Sequence, residues 1–143
     1  LFVMGYPEVA LQRTRERFAD MVNYPGCTTL WEGWGIGKAG FGGGSVNHAW
    51  SGGTLTLLSQ YVAGITPTEP GFKEFQIRPQ MGDLTSAQVT VDTRYGLIKA
   101  DLQRKGKKVR ISFEVPEGTT AWVMKDGKRL KFEAGKHKVT VSE

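Results

Sequence analysis

The chain has 143 residues, of which 39% are hydrophobic and 23% charged, and its formal net charge is +5. This composition excludes an intrinsically disordered chain, and the length suits one ordinary domain with a modest core. No apolar run approaches the roughly 18–20 residues that cross a bilayer, so we expect no membrane span. The single cysteine, Cys27, excludes an intrachain disulfide bond. Residues 1–7 lack an initiator methionine and a basic leader, which favours a piece of a longer protein.

The positive charge is concentrated in the second part of the chain. Residues 1–95 contain seven Lys and Arg against eight Asp and Glu, whereas residues 96–143 contain twelve against six. Such a basic segment has two explanations: a nucleic-acid-binding patch, or solvated lysines on the outer face of strands, which protect sheet edges. These lysines lie in turns and alternate with apolar residues. We therefore favour the second explanation and expect no nucleic-acid partner.

The spacing of apolar residues predicts two helices in the first half of the chain. Pro7 and Glu8 are typical of a helix start, and apolar residues then recur at steps of three and four up to the turn sequence at residues 23–26. A second helix is predicted from Asn47, its expected N-cap, to Gly64, its expected C-cap. It is apolar nearly all round, so we expect it to be buried. Two helices cannot bury both their faces alone, so they must pack on other parts of the fold or on helices outside this chain.

A long glycine-rich connection, residues 24–47, joins the two predicted helices. Loops longer than about 12–15 residues are uncommon in compact domains and are often functional. This loop carries a carboxylate between two indoles, namely Trp31, Glu32 and Trp34. We therefore expect candidate catalytic residues in this loop.

The apolar period changes to about two between Gly64 and Phe72. From there, short alternating runs are separated by turn sequences at intervals of roughly 8–12 residues, which predicts an antiparallel β-sandwich. The Asp126-Gly127 pair between two such runs predicts a tight hairpin. The predicted strands are residues 72–77, 87–93, 96–103, 109–115, 120–125, 130–133 and 138–142.

Six short segments, taken in order, match a known enzyme family. Residues 27–34 have the sequence CTTLWEGW and residues 45–48 the sequence SVNH; YVAGI, EPGF, F-x-IRP and TRYG follow further along the chain. These segments resemble those of the α-L-rhamnosidases, the inverting enzymes of glycoside hydrolase family 78, in order and in spacing. The resemblance covers about residues 8–125, and several motifs in sequence make it far more specific than one motif alone.

The resemblance implies an α+β fold in which two helices from the end of an (α/α)6 barrel are followed by an antiparallel β-sandwich. Residues 1–66 would form the C-terminal helices and active-site loop of the barrel, and residues 70–143 the C-terminal sandwich. The family's general acid lies in an acid-rich segment that nothing here resembles. It would therefore belong to a missing N-terminal part of the parent enzyme, and we expect this chain alone to be inactive.

The resemblance also assigns roles: Glu32 would be the general base, and His48 would contact the bound sugar. Inverting hydrolysis uses two carboxyl groups roughly 6.5–9.5 Å apart, one protonating the leaving oxygen and the other activating water. Trp31 and Trp34 would offer indole faces to the sugar, and apolar walls would raise the pKa of Glu32. The alternatives are an exposed loop carboxylate for Glu32, a helix-capping or structural role for His48, and packing roles for both indoles. Trp50 is expected to be a packing residue.

The expected substrate is therefore a rhamnosylated glycan or glycoside. No metal-ligand cluster, phosphate-binding loop or nucleotide motif occurs in the sequence, so we expect no cofactor. The alternative function is a non-catalytic carbohydrate-binding or structural β-sandwich module. The sequence itself does not indicate a compartment; analogy with family members from glycan-degrading bacteria is compatible with a secreted or periplasmic location.

Overall fold

The first helix begins and ends where the sequence predicts. The computed structural model describes residues 1–34, 36 and 44–142, so the middle of the predicted loop lies outside the described residues. A 3₁₀ turn, Phe2–Met4, precedes helix α1, Pro7–Asn23. Pro7 lies in the first turn, where its missing N–H leaves no helical carbonyl unpaired. α1 buries Ala10, Leu11 and Met21.

The second helical segment is irregular. It consists of a 3₁₀ turn, Ala49–Gly52, a short helix α2, Gly53–Leu57, and a π-helical turn, Leu58–Val62. The change from 3₁₀ to α geometry falls at the Gly52-Gly53 pair, where helix propensity is weakest. The N-cap position belongs to His48, with extended backbone, so the expectation of Asn47 as N-cap is wrong.

The expectation that this segment is buried all round is also wrong for this chain. The side chains of Trp50, Leu55 and Leu57 are exposed, whereas Val62 is buried. The C-terminal end of the segment contacts the sandwich, whereas Leu55 and Leu57 lie at the surface of the described part of the chain.

In the part of the chain that the structure describes, eight strands form two packed four-stranded sheets. Their bounds are β1 Ile65–Pro67, β2 Glu74–Ile77, β3 Ser86–Thr93, β4 Gly96–Lys105, β5 Lys108–Val115, β6 Thr120–Lys125, β7 Lys128–Phe132 and β8 Gly135–Ser142. One sheet has the order β1-β2-β6-β7 and the other β3-β4-β5-β8. All seven predicted strands are present, and β1 is an addition that the sequence pattern missed because three residues are too few to show alternation.

Five of the six strand pairs are antiparallel, and the pair β2-β6 is parallel. The chain leaves β2, builds three strands of the opposite sheet and returns to β6, and such a long crossover permits parallel pairing. The sandwich is therefore antiparallel with one exception. The hairpin between β6 and β7 turns through Asp126 and Gly127, both with positive φ (49° and 75°), as the Asp-Gly pair predicted.

The core lies between the two sheets. Alternate residues of each strand point inward, which gives the period of two seen in the sequence. Full burial of each large side chain there contributes about 1.5–3 kcal/mol. The largest of these fully buried side chains are Phe75, Ile65, Ile77, Met81, Ile98, Leu102, Ile111, Val109 and Val123.

The helical part is held on the sandwich by a second, smaller cluster. Phe2 stacks on Tyr61 with ring centroids 5.3 Å apart, and Leu11 and Val62 are buried beside them. Leu84, in the connection between β2 and β3, packs against this cluster. At the surface, Arg15 of α1 donates two hydrogen bonds, of 2.7 and 3.0 Å, to the carboxylate of Asp83.

Gly64 joins the second helical segment to β1 in a tightly packed place. Its φ of 74° is left-handed, which confirms it as the predicted end of the helix. Its carbonyl accepts a hydrogen bond of 2.9 Å from the backbone N–H of Arg78. A Cβ atom at this position would lie 2.0 Å from the carbonyl carbon of Arg78, so no side chain fits here.

Candidate active site

Backbone hydrogen bonds bring the two family motifs together. The N–H of Glu32 donates to the carbonyl of Ser45 at 2.9 Å, and the N–H of His48 donates to the carbonyl of Leu30, also at 2.9 Å. Thr29 adds a hydroxyl hydrogen bond to the carbonyl of Val46. The segment that carries Glu32 and the segment that carries His48 therefore lie side by side, although the chain between them is long.

The carboxylate of Glu32 lies between Ser45 and His48. Its Oε2 accepts the backbone N–H of Ser45 at 2.8 Å and lies 3.8 Å from Nδ1 of His48. The backbone N–H of Ser45 is the main cause that holds the pKa of Glu32 below its ordinary value, and the Ser45 hydroxyl and His48 lower it further. Partial burial acts in the opposite direction and is outweighed.

The expectation that apolar walls raise the pKa of Glu32 is therefore wrong. Its two neighbouring indoles do not enclose the carboxylate, and 36% of the side chain is exposed. A carboxylate that accepts hydrogen bonds is stabilised in its charged form. Glu32 is accordingly ionised at neutral pH.

His48 is half-buried between a hydroxyl and an indole. Its Nδ1 is 3.1 Å from the hydroxyl oxygen of Ser45. Its ring packs against Trp50 with centroids 4.0 Å apart and an angle of 41° between the planes. The imidazole is thus oriented by contacts on its Nδ1 side and on one face.

Trp31 does not reach the surface. Its side chain is fully buried, its N–H donates to the sulfur of Cys27 at 3.3 Å, and it meets Tyr24 edge-on at 5.2 Å between centroids. The hydroxyl of Ser51 also donates to its carbonyl oxygen. The expectation that Trp31 contacts a sugar is therefore not met, because no face of its indole is open to a ligand. Trp31 packs beneath the loop.

Trp34 is 51% exposed, and the guanidinium of Arg17 lies over its ring at 4.9 Å from the centroid. This contact ties the loop to α1 and holds the indole at the surface. Trp34 lies two residues beyond Glu32, and part of its surface is open to solvent.

Two further residues, Trp50 and Ser45, belong to this cluster and were not predicted as site residues. Trp50, expected to be a packing residue, is 66% exposed, and its N–H donates to the carbonyl of Glu32 at 3.0 Å. Ser45 contacts both Glu32 and His48. The only signal for either residue was its place beside the Asn-His pair, since apolar periodicity cannot distinguish an indole facing the core from one facing outward.

The described part of the chain holds no cluster of three or more His, Cys, Asp or Glu side chains suited to a metal ion. In the same residues, no helix combines the length and the apolar character that crossing a membrane requires.

Comparison with known families identifies the sandwich. Residues 64–139, more than half of the chain, match the family model of the bacterial α-L-rhamnosidase C-terminal domain. The chain belongs to this family. The resemblance deduced from the six segments is confirmed.

Individual α-L-rhamnosidases are also similar to the chain. The enzyme of Streptomyces avermitilis is 29% identical over 133 residues, 85% of this chain, and that of Formosa agariphila is 34% identical over 102 residues, 67% of this chain. The solved structure of the Streptomyces avermitilis α-L-rhamnosidase, complexed with L-rhamnose, superposes with a TM-score of 0.70 at 27% identity over 82% of this chain.

These rhamnosidases are far longer than the present chain. The chain spans 13% of the Streptomyces avermitilis protein and 11% of the Formosa agariphila protein, and 14% of the solved chain. Because the match to individual enzymes reaches beyond the sandwich, it includes part of the helical region as well.

Proposed function

We propose that this chain is the C-terminal part of a glycoside hydrolase of family 78 that hydrolyses terminal α-L-rhamnosides with inversion. In this proposal residues 1–66 complete an (α/α)6 catalytic barrel, and residues 70–143 form the sandwich that supports it. The general acid belongs to an N-terminal part of the parent enzyme. The substrate is a rhamnosylated glycan or glycoside.

The observation that carries the proposal is the ionised carboxylate of Glu32 beside His48. An inverting glycosidase needs one carboxyl group that stays protonated and one that stays ionised to activate water. The pKa of Glu32 is lowered, which suits the second role and not the first. Its partial exposure leaves room for a water molecule at the carboxylate.

The neighbours of Glu32 supply the features of a sugar site. His48 offers a ring nitrogen to a hydroxyl group, and Trp34 and Trp50 offer exposed indole faces to the C–H groups of a sugar ring. In the proposal His48 and these two indoles bind substrate, and Trp31 supports them from below.

The exposed apolar residues support the existence of a larger partner. Leu55 and Leu57 of α2 and Val3 of the first turn are all exposed, and such residues are normally covered in a folded enzyme. In the proposal the remaining helices of the barrel cover them. They belong to the N-terminal part of the same enzyme.

A non-catalytic sugar-binding sandwich is the alternative, and the sandwich itself offers little for it. A shallow groove of about 440 Å³ crosses the outer face of β3-β4-β5-β8. Nine of its twelve lining residues are polar or charged, and its one phenyl ring, that of Phe113, is buried. Sugar-binding grooves depend on exposed aromatic faces, which lie instead around Glu32.

The proposal is tested by replacing Glu32 in the full-length enzyme. Glu32→Gln keeps the side-chain volume but removes the base, so kcat on an aryl α-L-rhamnoside should fall by roughly 10²–10⁴-fold with little change in KM. Glu16→Gln, an exposed glutamate of α1, is the matched control and should leave kcat unchanged. Proton NMR of the first-formed sugar should show the inverted anomer. Near-normal turnover by Glu32→Gln would refute the assignment.

The 143-residue chain by itself should not hydrolyse the same substrate, because an inverting enzyme without its general acid loses orders of magnitude in rate. Turnover well above the uncatalysed rate by the purified chain would show that both carboxyl groups lie within it.

A further inference from the structure

Ser45 contacts both proposed site residues at once. Its backbone N–H donates to Oε2 of Glu32 at 2.8 Å, and its hydroxyl oxygen lies 3.1 Å from Nδ1 of His48. The backbone of Ser45 is itself fixed, because its carbonyl accepts the N–H of Glu32.

The hydrogen bond between Ser45 and His48 can run in two directions. A hydroxyl donates or accepts, and Nδ1 of a neutral imidazole is a donor in one tautomer and an acceptor in the other. The charge nearest to Nδ1 decides between them.

The position of the carboxylate favours a proton on Nδ1. Oε2 of Glu32 lies 3.8 Å from Nδ1, so a proton on Nδ1 is attracted by the negative charge, whereas a bare lone pair there would be repelled. The hydroxyl oxygen of Ser45 then accepts the hydrogen bond from Nδ1. On α1, the guanidinium of Arg17 lies over the ring of Trp34.

We propose that Ser45 is a positioning residue that links His48 to Glu32: its hydroxyl accepts a hydrogen bond from Nδ1 of His48 and its backbone N–H holds the carboxylate, so that His48 carries its proton on Nδ1 and presents an unprotonated Nε2. This inference rests on the proposed function. It specifies the sugar contact: Nε2 accepts a hydrogen bond, so the sugar must donate an O–H to it. A ligand whose hydroxyl at that place is replaced by hydrogen or O-methyl would not be held.

The position of the proton can be measured without any activity. The chain has two histidines, so ¹⁵N-histidine labelling at a pH of about 8 gives two imidazole signal sets. His137 is an internal reference for the tautomer with the proton on Nε2. Its Nε2 is 2.7 Å from the carbonyl oxygen of Glu133, which can only accept a hydrogen bond. His137→Gln assigns the two sets.

We expect His48 to show a protonated Nδ1, and Ser45→Ala to shift it towards the Nε2-protonated form while His137 stays unchanged. A protonated Nε2 on His48 in the unsubstituted chain would overturn the inference, whatever the activity of the enzyme.

Kinetics of the full-length enzyme provide the second readout. Ser45→Ala keeps the backbone contact with Glu32 but removes the hydroxyl, so KM should rise roughly three- to ten-fold. The expected change in kcat is small, because the backbone N–H of Ser45 still holds the Glu32 carboxylate. Ser45→Thr keeps a hydroxyl and should restore KM. An unchanged KM for Ser45→Ala, in an enzyme that Glu32→Gln inactivates, would refute the role of Ser45 and leave the proposed function intact.

Discussion

The indole of Trp50 is attached to the main chain of Glu32 and lies against the ring of His48. Its N–H donates to the Glu32 carbonyl at 3.0 Å, and its ring centroid is 4.0 Å from that of the imidazole. The remaining surface is largely open, since 66% of the residue is exposed. An aromatic ring held in this way has a fixed position beside Glu32, the proposed general base.

Trp50→Ala in the full-length enzyme should raise KM for an aryl α-L-rhamnoside roughly ten-fold, because a stacked sugar loses its aromatic partner. The expected change in kcat is small. Trp50→Phe keeps an aromatic face but loses the N–H donor, so its KM should lie between those of the unsubstituted and Ala enzymes. Steady-state kinetics measures all three.

Trp122 provides the control, because its indole lies in the sandwich and donates to Glu74. Trp122→Phe should leave KM unchanged. If Trp50→Ala behaved in the same way, Trp50 would be a packing residue after all.

Trp31→Phe should lower the stability of the 143-residue chain. The substitution removes the N–H that bonds to Cys27 and leaves a void in a fully buried place, which together cost about 1–3 kcal/mol. The urea midpoint should fall at constant slope. Trp34→Phe, at a half-exposed position, should change the midpoint much less. Unaltered stability with a raised KM would instead indicate that Trp31 contacts substrate.

The activity of the full-length enzyme should persist into acid. Because the pKa of Glu32 lies below its ordinary value of 4.5, the base is ionised above that pH and is lost only as the pH falls through the lowered pKa. The acid limb of the kcat/KM profile should therefore lie below about 4.5. An acid limb near pH 6 would show that the barrel raises this pKa, as apolar walls would.

Gly64→Ala should cost about 3 kcal/mol, because the new Cβ would collide with the backbone of Arg78 and the left-handed φ adds strain. Gly106 has a similar φ of 61° but open space around it. Gly106→Ala should therefore cost only the strain, about 1 kcal/mol. Equal losses for the two variants, measured by urea unfolding, would contradict the packing argument.

The parts of the fold that follow from local chemistry could be predicted from the sequence. Pro7 set the start of α1, Gly64 the end of the helical segment, and Asp126-Gly127 the hairpin. Each of these depends on backbone geometry that a few residue types favour. The seven longer strands likewise follow from alternation along each run.

The parts that depend on distant partners could not be predicted. The parallel pairing of β2 with β6 is decided by how two sheets pack, and the exposure of Leu55 is decided by which helices surround it. At the site, the motif indicated Glu32 and His48, but the contacts of Ser45 and the burial of Trp31 appear only when residues 30–32 and 45–48 are brought together. The direction in which the pKa of Glu32 is shifted depends on the same contact between these two segments.

The position of β1 at the sheet edge decides where a fragment that contains only the sandwich should begin. A cut at residue 70, at the start of the proposed sandwich, would discard Ile65–Pro67 and uncover the hydrogen-bonding edge of β2. An uncovered strand edge presents unpaired backbone N–H and C=O groups, which form hydrogen bonds with strands of other chains. A sandwich prepared for separate study should therefore start before Gly64. A protease that clips between Pro67 and Pro70 would release a fragment that self-associates, whereas a clip within residues 24–47 would leave both sheets complete.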